Sequence, residues 1–368
     1  MATAIRTENL TCDFGTVLAA DNVTTTFPAE SVTCLLGPSG SGKTTLMRML
    51  AGLQEPTSGE IYFGDERVTD LTPSQRNIGM VFQYPVVYRG TTLYQSVELP
   101  LRSERGISKK ERQRRVDEVL AWLDLTEYAK ADVSRLDNAT RQKAAVARAV
   151  ARQPSIILFD EPITNVDVES KVTLKRALKR LVKQHAQTII YVTHDQTEAM
   201  TLADEIALMD AGRIIQRGTP RELYNHPNSR FGGWFLGNPG MNFVKHSVER
   251  QDGQALLSAP LFGQPIAMDG SASVDEVIVG IRPERIRLDA QTSLSVQAEV
   301  VRTAIVVGGQ QLITLRVGDE QIKVKTESQE APKPGTPMQI HCPPEHITLF
   351  AKDGTKLDAE LSAAASPA

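Results

Sequence analysis

The stretch "VTCLLGPSGSGKTTLMRML" at residues 32–50 constrains this chain more tightly than any other. The run "VTCLL" suits a buried strand, and "TTLMRML" suits a helix. Between them stand Gly37, four further residues, then Gly42, Lys43 and Thr44, the spacing of a loop that cradles phosphate. A strand entering and a helix leaving are what such a loop needs, so the amino-terminal part is committed to an α/β architecture. Gly37, Pro38, Ser39, Gly40, Ser41 and Gly42 let backbone N–H groups converge on phosphate oxygens where the helix dipole also favours negative charge. Lys43 is then placed for the β and γ phosphates, Thr44 for Mg²⁺ and Thr45 for the α phosphate, so ATP with Mg²⁺ is the expected ligand.

A mostly parallel sheet follows from further apolar runs, "SIILF" at 155–159, "TIIYV" at 188–192 and "EIALM" at 205–209, separated by helical segments. One such segment, "SKKERQRRVDEVLAWLDL", opens with Ser108 and Glu111 in capping-box spacing and sets Val116, Val119, Leu120 and Leu123 on one face. "IILFDEP" brings Asp160 and Glu161 out at the carboxyl end of its strand, where open α/β sheets bind ligands. An acidic pair at a strand end is by itself most often a solvated loop. Beside the loop at 37–45 it reads as a metal acid, Asp160, and a general base for an attacking water, Glu161.

After about residue 235 the character changes. "FLGNPGMNF" is rich in glycine, proline and asparagine, and short alternating stretches follow: "EVIVGI", "SVQAEVV", "LITLRV" and "QIKVKT". The expectation is an α/β domain over 1–236, a small all-β barrel or sandwich over 240–352, and a disordered tail over 353–368, whose "AELSAAASPA" carries little apolar bulk. A net charge of −3 gives no compositional support for a nucleic-acid partner. Three widely spaced cysteines, Cys12, Cys34 and Cys342, argue against a disulfide framework and a zinc site, and make a reducing cytoplasm the default. No run of about 18 apolar residues occurs, and the amino terminus lacks a basic segment followed by an apolar one. Any membrane role is therefore expected to come through a partner.

In this company the chain resembles the ATP-binding subunits of ABC transporters. Gln83 in "MVFQYP" is similar to the family's Q-loop, Thr164 to Asp167 in "TNVD" to its D-loop, and His194 in "YVTHDQTEAM" to its switch histidine, all in the family's order. Phe14 in "CDFGTVLAADNV" sits where the family puts an aromatic against adenine. The resemblance implies that His194 donates to the γ phosphate, and that Gln83 joins Thr44 and Asp160 around the metal and passes its state to a partner domain. It implies a helical subdomain at about 84–150 that docks membrane permease subunits, with Gln83 at its hinge, and a periplasmic solute-binding protein reached only through them. "FLGNPGMNF" and "VGIRPERIRL" look like the segments that open and punctuate the accessory OB-like, TOBE-type β-domain of sugar-importer ATPases. The implied location is peripheral, on the cytoplasmic face of a bacterial inner membrane.

"LDNAT" at 136–140 departs from the pattern, standing where the family has Leu-Ser-Gly-Gly-Gln just before the helix of "RQKAAVARAV". Leu136 is kept. Asp137, Asn138, Ala139 and Thr140 replace a serine hydroxyl and bare glycine backbone that, in the family, meet the γ phosphate held by the opposite subunit of a head-to-tail dimer. Asp137 is expected to bring a negative charge to that approach, and Asn138 and Ala139 added bulk. Such a change impairs the partner's site rather than the chain's own loop, which favours a heterodimer with a second, intact ATPase subunit over a homodimer. The alternatives are a homodimeric sugar-importer ATPase and a regulatory subunit that mainly binds ATP, against which Glu161 and His194 argue. Paired ATPase subunits of bacterial glycerol importers resemble the chain in "FQYPVVYRGTTLY", in the altered signature and in "FLGNPGMN", making glycerol or another polyol the first expected solute.

Overall fold

The computed structural model describes residues 3–104, 106–162, 168–251, 254–257, 261–270, 274–288, 294–306, 308–327 and 331–362. The chain divides into two compact units, Met1–Arg221 and Glu222–Ala368. The first runs through β1 (Ile5–Asp13), β2 (Leu18–Phe27), β3 (Val32–Leu36), α1 (Lys43–Ala51), β4 (Ser58–Phe63), β5 (Glu66–Arg67), α2 (Pro73–Arg76) and β6 (Gly79–Val81). It continues with α3 (Leu93–Arg102), α4 (Lys109–Trp122), α5 (Asn138–Ala151), β7 (Ile156–Asp160), α6 (Val168–His185), β8 (Thr188–Thr193), α7 (Gln196–Leu202), β9 (Glu205–Asp210) and β10 (Arg213–Gly218). One sheet, in the order β2-β1-β4-β5, is antiparallel. The other has the order β10-β9-β3-β8-β7-β6 and is parallel from β9 to β6.

Every residue of β3, β7 and β8 is buried, which is why their sequences read as unbroken runs rather than as alternation. Leu46, Met47, Met49 and Leu50 of α1 share one core with Ile5, Phe27 and Ile61 of the antiparallel sheet and with Leu35, Leu158, Ile190 and Met209 of the parallel one. At about 1.5–3 kcal/mol for each side chain so buried, the helix that leaves the phosphate loop is fixed from both sides. Because β3, β8, β7 and β6 are parallel neighbours, their carboxyl ends lie side by side. The segments leaving those ends carry Gly37 to Thr45, His194, Glu161 and Gln83.

The helices α3, α4 and α5 pack on one another. Ser108 caps α4 by accepting the Glu111 N–H at 3.1 Å, but the Glu111 carboxylate pairs with Arg114 and Arg115 instead of closing the expected box. Val116, Val119, Leu120 and Leu123 are buried on the predicted face.

In the second unit α8 (Pro220–Asn225), whose first turn precedes the division, and α9 (Arg230–Phe235) are followed by β11 (Asn242–Gln251), β12 (Gln254–Leu257), β13 (Ile266–Gly270), β14 (Glu276–Ile281) and β15 (Arg287–Leu288). Then come β16 (Ser295–Ile305), β17 (Gln311–Val317), β18 (Glu320–Thr326), β19 (Pro337–His341), β20 (Ile347–Phe350) and β21 (Ala359–Ser362). Two antiparallel sheets, β20-β14-β11-β12-β13-β21 and β15-β19-β16-β17-β18, enclose a core that includes Val244, Phe262, Val279, Leu315 and Ile340. Two expectations shift here. The division falls at Arg221 rather than between 236 and 240, because Arg282 pins the helices to the β-structure. Its guanidinium donates to the Gly233 and Tyr224 carbonyl oxygens at 2.7 and 2.9 Å and lies over the Tyr224 ring. The tail expected to be disordered from 353 instead pairs through Ala359–Ser362 with β13, because Leu357 and Leu361 find places against the core. Residues 363–368 lie outside the described residues.

All three cysteines are free and buried. Burial raises the pKa of each thiol above its ordinary value, that of Cys342 to about 12. Among the described residues no helix is long and apolar enough to cross a membrane.

Candidate active site

The phosphate loop is shaped by what surrounds it. Gly42 caps α1 at φ 97°, and a Cβ there would run into the carbonyl oxygen of Ala19. The Gly212 N–H in the β9–β10 turn braces the loop through the Ser41 carbonyl at 3.1 Å. Lys43 is 5% exposed, and its ammonium donates to the Gly37 and Pro38 carbonyl oxygens at 2.9 and 2.8 Å and to Ser41 Oγ at 3.4 Å. Burial pulls its pKa below the ordinary lysine value, opposed by the charges of Glu161 and Asp160.

Thr44 Oγ1 donates to Asp160 Oδ1 at 3.3 Å, joining the start of α1 to the end of β7. Burial lifts the Asp160 carboxyl above the ordinary aspartate value, with the Thr44 hydroxyl acting against it. A buried carboxylate with a hydroxyl beside it is a hard oxygen pair that fits Mg²⁺. Glu161 follows at φ 45°, a left-handed conformation uncommon for a side-chain-bearing residue, held by its N–H on the Val192 carbonyl at 3.0 Å. Its carboxylate, 16% exposed, accepts from Gln83 Nε2 at 3.2 Å through one oxygen, and its other oxygen lies 3.0 Å from His194 Nδ1. Gln83 and His194, leaving the strands on either side of β7, thus converge on the one carboxylate of Glu161.

Phe14 is 54% exposed and lines a cleft of about 380 Å³ with Val17, Gly40, Lys43, Thr44 and Thr45. A tight turn presents it: the Phe14 N–H donates to the Val17 carbonyl at 3.0 Å and the Gly15 N–H to Asp13 Oδ1 at 2.7 Å. The ring stands outside the hydrophobic core.

The altered signature behaves differently from the expectation of a charge turned toward a phosphate. Asp137 caps α5: its two carboxylate oxygens accept from the Thr140 N–H and the Thr140 hydroxyl, both at 2.8 Å, and these bonds hold its carboxyl below the ordinary aspartate range. Asn138 Oδ1 accepts from Arg141 at 2.9 Å; Ala139 and Leu136 are half-buried and Thr140 is buried. Farther along α5, Gln142 donates to the Phe82 carbonyl at 3.2 Å and Arg148 to the Val86 carbonyl at 3.0 Å, tying the signature helix to the segment around Gln83. Sequence reasoning did not find these two ties, since a carbonyl acceptor leaves no trace in side-chain identity. Asp167, with Thr164, lies outside the described residues.

Comparison with known proteins gives matching results. Residues 20–164 match the ABC transporter family and residues 279–350 the TOBE domain. The chain is 38% identical to the sulfoquinovosyl glycerol transport ATP-binding protein SmoE of Agrobacterium fabrum, over 86% of this chain and 88% of that one. It is 36% identical to the sn-glycerol-3-phosphate import ATP-binding protein UgpC of Yersinia pestis, over 87% and 88%. The maltose/maltodextrin import ATP-binding protein MalK of Vibrio parahaemolyticus is 32% identical over 95% of each. Among solved structures, a dimeric bacterial ABC transporter cassette, MJ0796, superposes with TM-score 0.54 at 30% identity, covering 58% of this chain and 98% of that one.

Proposed function

The chain belongs to the ATP-hydrolysing, ATP-binding subunits of ABC transporters of the carbohydrate importer type, and from that premise we propose that it energises uptake of a small polyol, glycerol first, through separate membrane permease subunits. The observation that carries the catalytic part is the Glu161 carboxylate held between Gln83 and His194, beside Lys43, Thr44 and Asp160. The loop N–H groups and Lys43 bind the β and γ phosphates, and Phe14 stacks on the base. Glu161 orients the attacking water and takes its proton. With His194 Nδ1 on the Glu161 carboxylate, Nε2 is the nitrogen left to meet the γ phosphate. Thr44 and Asp160, with Gln83, would hold Mg²⁺, which when bound neutralises charge on the phosphate oxygens.

The permease docks on the segment around Gln83, where Phe82, Tyr84, Val86 and Tyr88 are 39%, 74%, 50% and 40% exposed, and beside a groove lined by Met80, Leu99 and Arg148. In this reading the chain sits peripherally on the cytoplasmic face of the inner membrane, with a periplasmic solute-binding protein acting only through the permease. Glycerol is favoured by the "FQYPVVYRGTTLY" segment and the altered signature, and SmoE and UgpC carry glycerol-containing solutes in their names. The self-capped Asp137 supports pairing with a second ATPase subunit of intact signature, since its carboxylate already occupies donors at the start of α5.

In the assembled transporter, Glu161→Gln is expected to keep ATP binding and lose both turnover and uptake of labelled glycerol, whereas Lys43→Ala loses binding itself. Full hydrolysis by Glu161→Gln would sink the assigned base. Uptake of a sugar but not of glycerol by the unaltered complex would replace the substrate. ATP turnover by the purified chain alone on the order of 1 per second or faster would remove the need for a second ATPase.

A further inference from the structure

His194 sits on a turn that is anchored on both sides. The residue after it, Asp195, caps α7 by accepting the Thr197 and Glu198 N–H groups at 2.7 and 3.1 Å. The residue before it, Thr193, is buried, and its hydroxyl does two things: it accepts the Asp195 N–H at 3.0 Å, bridging over His194, and it donates to Glu198 Oε2 at 2.9 Å. Glu198 lies one turn into α7 and is 4% exposed. The same oxygen accepts from the Tyr191 hydroxyl at 3.2 Å, and Oε1 takes Lys171 Nζ of α6 at 3.3 Å. The Tyr191 hydroxyl is kept protonated by burial and then by the Glu198 charge, so it remains a donor. Lys175 of α6 adds a bond to Thr201 of α7 at 2.9 Å.

A buried carboxylate surrounded only by donors is a costly feature that an apolar residue would avoid. Its partners lie on β8, whose last residue is Thr193 immediately before His194, and on α6, so the carboxylate ties the end of β8 to α7 and α6 where His194 Nδ1 stands 3.0 Å from Glu161. We propose that Glu198 is a positioning residue for hydrolysis, a buried clamp that fixes His194 against Glu161 by holding Thr193. Its role is exercised through Thr193 and His194, not on the reacting groups. The inference rests on the roles given to Glu161 and His194 above.

Glu198→Gln keeps the shape but removes the charge that Lys171 meets, and with the amide oxygen toward Lys171 the bond to Thr193 must reverse, since an NH₂ can only donate to the Thr193 and Tyr191 hydroxyls. In the assembled transporter this variant is expected to lower kcat about tenfold, with KM for ATP within about twofold, because a displacement of less than 1 Å at the reacting groups is enough for such a loss. Thr193→Val removes the linking hydroxyl while keeping its volume, and is expected to do the same; it carries the test if Glu198→Gln fails to fold. A merely structural residue is separated by the double variant: in a His194→Ala background, Glu198→Gln should change kcat by less than about twofold, since the group it positions is gone. Unchanged kcat in the folded single variants, or an undiminished tenfold loss on top of His194→Ala, overturns the clamp while leaving the site assignment standing. Full turnover by His194→Ala alone overturns the role of the histidine, and the clamp with it.

Discussion

Phe14 exposes 54% of its surface beside Lys43 and Thr45, an arrangement with no benefit to the core. Phe14→Ala is therefore expected to leave thermal unfolding nearly unchanged and to weaken ATP binding several-fold, the size of one stacking contact of about 1 kcal/mol, as titration with nucleotide would measure. A sharp fall in unfolding temperature with affinity intact would return the ring to the core. That Lys43 and Asp160 come close together could be read from the sequence, because each follows closely on an unbroken apolar run that reads as a strand. The left-handed φ of Glu161 could not, since nothing in its side chain announces it. Nor could the direction of Asp137: its charge was legible, but whether a carboxylate faces outward or folds back on its own helix depends on Thr140 standing three residues on.

At the scale of elements, α5 is the piece that joins distant parts. Its start is capped by Asp137, its middle holds Phe82 through Gln142, and its last turn holds Val86 through Arg148. Asp137→Ala is expected to cost about 1 kcal/mol of unfolding free energy, the usual effect of removing such a cap. The sign of its pH dependence follows from a carboxyl whose pKa is lowered in the fold: the stabilisation is complete above the unfolded value near 3.8 and is lost as pH falls through the lower folded value. Acid unfolding of the unaltered chain and of Asp137→Ala should thus converge below that range, and a gap that persists there would remove the carboxylate from the cap. The strands β3, β7 and β8 were legible as unbroken apolar runs because both faces are covered. β21 was not, because Leu357 and Leu361 acquire their worth only from a sheet formed by residues a hundred positions earlier.

At the scale of the whole molecule, two units with cores of their own should unfold as two steps. For the Glu161→Gln chain, ATP and Mg²⁺ at about a hundred times Kd contribute roughly 2.7 kcal/mol to the unit that binds them. Calorimetry should show the first unit's transition rising by several degrees while the second stays in place. A single transition moving as a whole would mean that the units melt together. The burial of Cys12, Cys34 and Cys342, with pKa values raised by that burial, has a practical side. Thiol reagents act on the thiolate, so a maleimide dye finds no reactive native target on the folded chain. One new cysteine at the exposed position of Asn138 or Tyr84 would carry the label alone, and the natural sequence already serves as the background for testing whether the signature and the proposed docking segment move during turnover.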